Sequence, residues 1–557
     1  MKKSIKYFAL FAGILFLCAC SKDYLETYPE NTILEDDVFK TTKTTAMAIN
    51  GLCRLQTTSY ASAGQNGEAT IMLYYGNYPG QYFQKCNRTG LAYLMNQTYH
   101  LLVDNSYDIY PWFYYYKLIN NANRILEHVD AAEGPDEEKQ FIKAQALTFR
   151  AWSFFRLSEL YCWRWQDSRG DYKYKDSSGN TQTMTNVYGA IQGVPLRLDT
   201  STGDIPCAYL REVRDRVYAD LDQAIAYYKS CGIDRGRDEY YKPNIDVAYA
   251  IYARAALTYA FTGDPESRWA DIANFARLAR ANYPLMSNTE YMESGFNKAN
   301  QEWIWGTYDA PDENVGTNNF YAYMGSNGTT SNTVTYPSAI SKELYDKIPA
   351  TDVRKKAYLE PKPGEIDVLY YPTTGRSVGP LAQRAKQEYG HKLYIDKNTG
   401  QLISSIYIYM QFKFQAAKLP AVGCVCVMRA AEMYYIEMEA LYFQGGNDAK
   451  IQALLEEVNA ERNPSYTCSL TGSKLWEEVK TYRAFDLWGE GLDWFDMKRW
   501  RGTISRKSLA NGGSFHASFA KIIGPTAANR WTWIIPRKET DYNKAITVVG
   551  GEVESDD

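Results

Sequence analysis

Apolar residues return at every third or fourth position in separate blocks along this chain. That spacing lays one face of an α-helix against a core. The clearest block predicts a helix over 136–163, where Ala144, Leu147, Ala151, Phe154, Phe155, Leu157 and Leu160 share the period. Gly134-Pro135 separates it from a helix predicted over 110–129. A second pair is predicted over 209–228 and 245–261. The latter carries Ala248, Ala253, Ala256 and Ala260, small residues that let helices approach closely, and it stops at Gly263-Asp264. Another helix is predicted over 268–281 after Pro265, and a last cluster over 427–443, 449–463 and 474–488.

Helix pairs joined by short Gly- and Asp-containing turns define a mostly α protein. The expected scaffold is a set of irregular tetratricopeptide-like helical hairpins, although no strict 34-residue repeat is visible in the letters. Long loop-rich inserts separate the clusters, chiefly 167–204 and 306–405, which are rich in Gly, Asn, Thr, Tyr and Pro. Loops of such length are functional, packed down or disordered, and their aromatic content argues against disorder. Little β-structure is expected. Trp303 and Trp305 alternate as in a buried strand, as do Cys424 and Cys426.

The first residues follow a different pattern. Lys2 and Lys3 precede an apolar run over 7–17, which ends in Leu17-Cys18-Ala19-Cys20. The run is short for the ~20 residues of a membrane span and has the flanks of a secretory signal. A signal peptide over 1–19 and lipid attachment at Cys20 are expected, the alternative being an ordinary signal peptide with an incidental Cys. Lipid on Cys20 would tether an otherwise water-exposed protein to a membrane. No later run of about 18 apolar residues follows.

Composition narrows the function classes. A net charge of −4 with scattered basic residues argues against nucleic-acid binding, which needs clustered Lys and Arg. The conspicuous bias is 48 Tyr, 21 Phe and 13 Trp, which suits both a core and a ligand-gripping surface. Cys53, Cys86, Cys162, Cys207, Cys231, Cys424, Cys426 and Cys468 have irregular spacings without a CxxC pair and read mostly as small core hydrophobes. His100, His128, His391 and His516 stand alone, so no metal is expected. No GxxxxGK[ST], GxGxxG or GxSxG phrase occurs, so no cofactor is expected and no motif argues for catalysis.

Several longer phrases, taken in order, resemble the SusD/RagB family of surface lipoproteins. They begin with Tyr24-Leu25 and Pro29, continue through 142–152 and Leu157-Ser158-Glu159-Leu160-Tyr161, and reach Gly193-Val194-Pro195-Leu196. The helix over 211–224, Asn300-Gln301-Glu302-Trp303-Ile304-Trp305, and Met428-Arg429-Ala430-Ala431-Glu432-Met433 follow. Trp488-Gly489-Glu490-Gly491-Leu492-Asp493-Trp494-Phe495-Asp496-Met497-Lys498-Arg499-Trp500 and Trp533-Ile534-Ile535-Pro536 with Asn543 complete the series. One departure stands out: Leu492-Asp493 occupies the place where relatives carry a basic residue, so local ion pairing must differ there. Glu432, Glu439, Arg429, Asp496 and Arg499 lie in apolar surroundings and are expected to be paired and architectural, as are Glu490 and Asp493.

The resemblance implies a single SusD-like α-helical domain over 20–557, with an N-terminal part of about 20–230 and a C-terminal part of about 231–557. It also implies a non-catalytic lipoprotein of the outer membrane, facing the cell exterior, that binds a glycan for a SusC-like TonB-dependent transporter. The charged stretch just after Cys20 is similar to a surface-export signal. Capture of peptides or glycopeptides is the alternative within the family, and a lipid-anchored glycoside hydrolase the alternative outside it. Aromatic platforms flanked by amides and Arg suit sugar rings. Two regions offer them. One holds Tyr75, Asn77, Tyr78, Tyr82 and Arg88; the other holds Tyr308, Asn318, Asn319, Phe320, Tyr321 and Tyr323. If Cys20 carries the anchor, Cys20→Ala abolishes membrane retention, measured by cell fractionation, while the soluble protein binds its ligand as before.

Overall fold

The computed structural model describes residues 35–60, 65–85, 91–98, 105–308, 319–366, 376–527 and 530–548. The expected signal segment, Cys20, Cys86, Arg88 and Asn318 lie outside the described residues.

Ten helices form the frame: α1 Thr42–Leu55, α2 Ser106–His128, α3 Asp136–Tyr161, α4 Leu210–Cys231, α5 Ile245–Thr258, α6 Trp269–Arg280, α7 Ala430–Gln444, α8 Asp448–Asn459, α9 Gly472–Asp486 and α10 Asp493–Arg499. Their ends follow local chemistry. The Asn105 side chain caps α2 by accepting from the Tyr107 and Asp108 amides. Asp136, Glu137 and Glu138 occupy the first turn of α3, where the helix dipole favours acids. Gly232, in the left-handed region at φ 63°, ends α4.

Consecutive helices pack side by side, α2 on α3, α3 on α4, α4 on α5, α5 on α6 and α6 on α7, with α1 against α2 and α3. This is the expected array of helical hairpins. From Ala144 onward every residue of α3 is buried, because the helix is covered on both sides by its neighbours. The apolar period placed the helices well but missed one boundary. The block expected over 427–443 opens as a strand, Cys426–Arg429, and turns helical only at Ala430. That strand pairs antiparallel with Trp303–Gly306, and Trp303 and Trp305 are buried as expected.

Strand content among the described residues is confined to two-stranded pairs. The insert over 167–204 carries a hairpin, Gly170–Lys175 with Thr181–Val187, and the insert over 306–405 carries short helices such as Phe320–Met324 and Lys342–Lys347. Cys53, Cys162, Cys231, Cys424, Cys426 and Cys468 are buried thiols, as their spacing suggested, and burial pushes those of Cys53 and Cys162 up to about 12.

Helix α7 has no solvent face over Ala430–Leu441, so its glutamates need partners. Glu432 receives Arg254 of α5 through Nε at 2.7 Å, Glu437 receives Arg280 of α6 at 2.8 Å, and Glu439 receives Arg499 of α10 at 2.8 Å. Just before the helix, Arg429 bonds Glu302 at 2.7 Å, Asp486 at 3.0 Å and Glu490 at 2.7 Å. Lys413 donates to Glu490 at 2.6 Å, and Arg354 lies 3.1 Å from Asp486. Burial opposes the charge on Asp486, yet Arg429 and Arg354 hold its carboxyl well below the usual range. Removing one member of such a set strands the others. Arg429→Ala therefore lowers unfolding free energy by about 3–5 kcal/mol in a denaturant titration.

Candidate functional site

The first aromatic region is not a loop. Gly67–Thr70 continues as a π-helical turn over Ile71–Asn77, with every residue of both segments buried. Its seat is the 489–491 backbone. A Cβ on Gly76 would lie 2.0 Å from the Gly491 carbonyl oxygen, and Gly491 itself adopts φ 80° against Met72. The Asn77 amide donates to Gly489 O at 2.8 Å and accepts from Gly491 N at 2.9 Å. Tyr75 and Tyr78 are fully buried, Tyr75 with its hydroxyl bonded to Tyr107 O, and only Tyr82 is half-exposed.

The second region is also helical at its core. Asn319 caps Phe320–Met324 by accepting from the Ala322 amide at 2.9 Å, and Phe320, Tyr321 and Tyr323 are buried. The two regions do meet. Tyr74 stands edge-on to Tyr323 at 5.8 Å, and Lys85 donates to Tyr323 O at 2.9 Å. The rings of Tyr74, Tyr75, Tyr78, Phe320, Tyr321 and Tyr323 are thus turned into the protein, whereas Tyr82, with Asn77, Trp488 and Asp493, lines a small cleft. Tyr308 is half-exposed and packs on Tyr241 at 5.5 Å.

Close to Tyr321 opens a cleft of about 800 Å³, formed by the α4–α5 connection, the segment after α6, and the start of the Trp303–Gly306 strand. Tyr240, Tyr283 and Trp303 line it together with Asn244, Asn282 and Asn300. Its charged lining is balanced, with Asp234, Asp238 and Asp246 against Arg235, Arg237 and Lys298. Arg235 fixes the shape. Its guanidinium donates to the carbonyls of Tyr240 at 2.9 Å, Lys242, and Ile304 at 2.5 Å, and to the Tyr283 hydroxyl at 3.3 Å. Tyr240 meets Trp303 edge-on at 5.9 Å, and the Trp303 indole N–H is held by Gly295 O at 2.9 Å. Burial pushes the Asp246 carboxyl up, against hydrogen bonds from Tyr283 and Asn282. The Tyr321 hydroxyl lies 2.6 Å from the carbonyl oxygen of Cys424, a cleft residue, so the second predicted region forms the wall behind the cleft.

Sequence reasoning passed over Tyr240, Tyr283 and the three asparagines. The available signal was Tyr240-Tyr241-Lys242-Pro243-Asn244, a polar aromatic turn between two predicted helices.

The departure at Asp493 is resolved by backbone. In place of a basic partner, its carboxylate accepts from the Tyr82 amide at 2.7 Å, and Arg506 clamps the same turn through Gly80 O at 2.9 Å and Met95 O at 2.6 Å. Glu490 and Asp496, the neighbouring carboxylates, are bound by Arg429 and Lys413 and by Arg483 and Arg499 respectively. Among the described residues no group of three His, Cys, Asp or Glu is arranged to hold a metal ion.

This helical array with its phrase-by-phrase ion pairs has clear relatives. Residues 23–257 match a SusD-like family described as starch-binding, associating with outer membrane, and residues 386–547 match the SusD family. The chain belongs to the SusD/RagB family. Among solved structures it is similar to a SusD-like carbohydrate binding protein from Bacteroides vulgatus, with 18% identity, a TM-score of 0.69, and coverage of 92% of this chain and 99% of that one. A SusD superfamily protein from Bacteroides thetaiotaomicron matches with 20% identity, a TM-score of 0.66 and coverage of 91% and 99%. One from Bacteroides fragilis matches with 17% identity, a TM-score of 0.65 and coverage of 92% and 100%. These likenesses are of fold. No curated protein matches the sequence.

Burial pushes the Asp493 carboxyl up to about 7, with the Tyr82 amide and Arg506 acting against it. A raised carboxyl favours the native state below the unfolded value of ~4, and that contribution is lost as pH rises through 7. Asp493→Asn, which keeps the acceptor oxygen without the charge, therefore flattens the fall in stability between about pH 4 and pH 7 relative to the wild type, read from denaturant midpoints across that range.

Proposed function

We propose that the chain is a non-catalytic lipoprotein that binds a glycan, an oligo- or polysaccharide, in the Tyr240–Tyr283–Trp303 cleft. The observation that carries this reading is the lining itself: the half-exposed rings of Tyr240 and Tyr283 beside the Asn282 and Asn300 amides in a concavity of about 800 Å³. Sugar C–H faces pack on such rings while hydroxyls pair with amides and carboxylates. Family membership supports the same reading, since the matched family is described as starch-binding and one structural neighbour as a carbohydrate binding protein.

The balanced charges favour a neutral glycan. A uronate or sulfate would need an excess of Arg and Lys to offset its desolvation, and the cleft has equal numbers of each sign. By the same family logic, the bound glycan passes to a SusC-like TonB-dependent transporter at the outer membrane, with the protein held by lipid at Cys20 and facing outward. Among the described residues no helix is long and apolar enough to cross a membrane.

The test is calorimetric titration of the mature protein with neutral and acidic glycans and with peptide digests, alongside product analysis. Neutral glycans bind without turnover, the affinity changes little between low and high salt, and Tyr283→Ala weakens it roughly tenfold. Binding to peptides alone would replace the glycan with a peptide ligand. Cleavage lost on a single Asp or Glu change would make the protein a hydrolase.

A further inference from the structure

The hairpin Gly170–Lys175 with Thr181–Val187 stands out from the helical frame with both strands largely exposed. Its register places Tyr172 opposite Met184 and Tyr174 opposite Gln182, so these four side chains share one face, while Lys173, Lys175, Thr181 and Thr183 share the other. An isolated two-stranded ribbon is marginal in water and needs packing to hold its shape. The packing is all at the Tyr172 end. Its ring meets Tyr209 edge-on at 5.1 Å, lies under the Arg211 guanidinium at 5.0 Å, and donates its hydroxyl to Glu212 at 3.2 Å.

Tyr174 then lies parallel to this fixed ring, 5.5 Å away and 13° off coplanar. One face of Tyr174 is supported and the other is open. Tyr174 keeps 36% of its surface and Met184 41%, a degree of exposure that core packing does not account for. A flat ring immobilised from behind, edged by a thioether and the Gln182 amide, is a stacking platform whose ordering cost is already met.

We propose that this face is a second carbohydrate contact, which stacks on a sugar ring of the same glycan chain that enters the cleft. The placement suits a polymer. Tyr209 immediately precedes α4, and the cleft begins just after its end, at Asp234. Its 22 residues span about 33 Å, the length of several sugar units. The inference rests on the glycan reading of the cleft. Two weak contacts on one chain raise the affinity for long glycans without improving that for short ones, because the second contact becomes intramolecular.

The test compares a short oligosaccharide with the polysaccharide of the same linkage on wild type, Tyr174→Ala, Met184→Ala and the cleft variant Tyr283→Ala. Tyr174→Ala is expected to bind the oligosaccharide as wild type does and the polymer about tenfold more weakly. Tyr283→Ala is expected to lose affinity for both. Polymer affinity unchanged in Tyr174→Ala, with Tyr283→Ala weakened, overturns the platform and leaves the cleft standing. A wild-type protein that retains neither ligand overturns both. If Tyr174→Ala leaves polymer affinity intact but reduces co-purification with a TonB-dependent barrel, the hairpin is a protein-docking face and the inference fails. The exposed position of Tyr174 keeps the variant folded, which a superimposable thermal melt verifies.

Discussion

Everything around the C-terminal half of this protein is arranged so that one buried guanidinium is never alone. Arg429 sits between a strand and a helix, and its fork reaches three carboxylates from two distant stretches of chain: Glu302 in one, Asp486 and Glu490 in the other. Such a charge is tolerable only when each of its donors has an acceptor in the right direction. Both stretches must therefore meet the segment of Arg429 together, and their arrival also brings Lys413 onto Glu490 and Arg354 onto Asp486. The strand pairing of Trp303–Gly306 with Cys426–Arg429 is fixed by the same set, and Trp303 at its start lines the cleft.

Helix α7 extends the principle along its length. A helix with no solvent face could be wholly apolar, but this one presents Glu432, Glu437 and Glu439 to arginines from three other helices. Apolar contact alone would let these helices slide by a turn. Each pair, bidentate at Glu432 and Glu439 and two donors on one oxygen at Glu437, accepts one register, so the array around the cleft is positioned rather than merely packed.

The helical scaffold was readable because amphipathic period and turn chemistry act locally, and the charged family phrases were readable as architecture because charges amid apolar residues require partners. Arg429, Glu432, Glu439, Asp496 and Arg499 all have them. The ligand face was far less legible. Tyrosine serves a core and a platform equally well, and the densest tyrosine run, around Tyr74 and Tyr75, is spent on burial. The cleft draws its lining from 234–246, 282–283, 298–303 and Cys424, which come together only once α4, α5 and α6 are in place. No spacing in the sequence encodes that meeting. The Asp493 departure was visible as a missing ion pair, whereas its replacement by the Tyr82 amide depended on a turn more than 400 residues away.

The seam between Asn77 and the Gly489–Gly491 backbone imposes an order on the birth of the fold. Its two sides are separated by 412 residues, and Gly76 rests directly on Gly491. As the chain emerges from its N-terminal end, helices α2 to α6 can find their sequential neighbours early, since their contacts are local. The π-helical turn over Ile71–Asn77 can do so only in part. Its Tyr74 and Tyr75 can meet Tyr107 of α2 early, but the side that seats on Gly489–Gly491 stays uncovered until almost the whole polypeptide has emerged, so one of the first segments made is among the last to settle completely. During that interval the side of the turn that carries Met72 and Gly76 is uncovered, a natural target for whatever escorts unfolded chains.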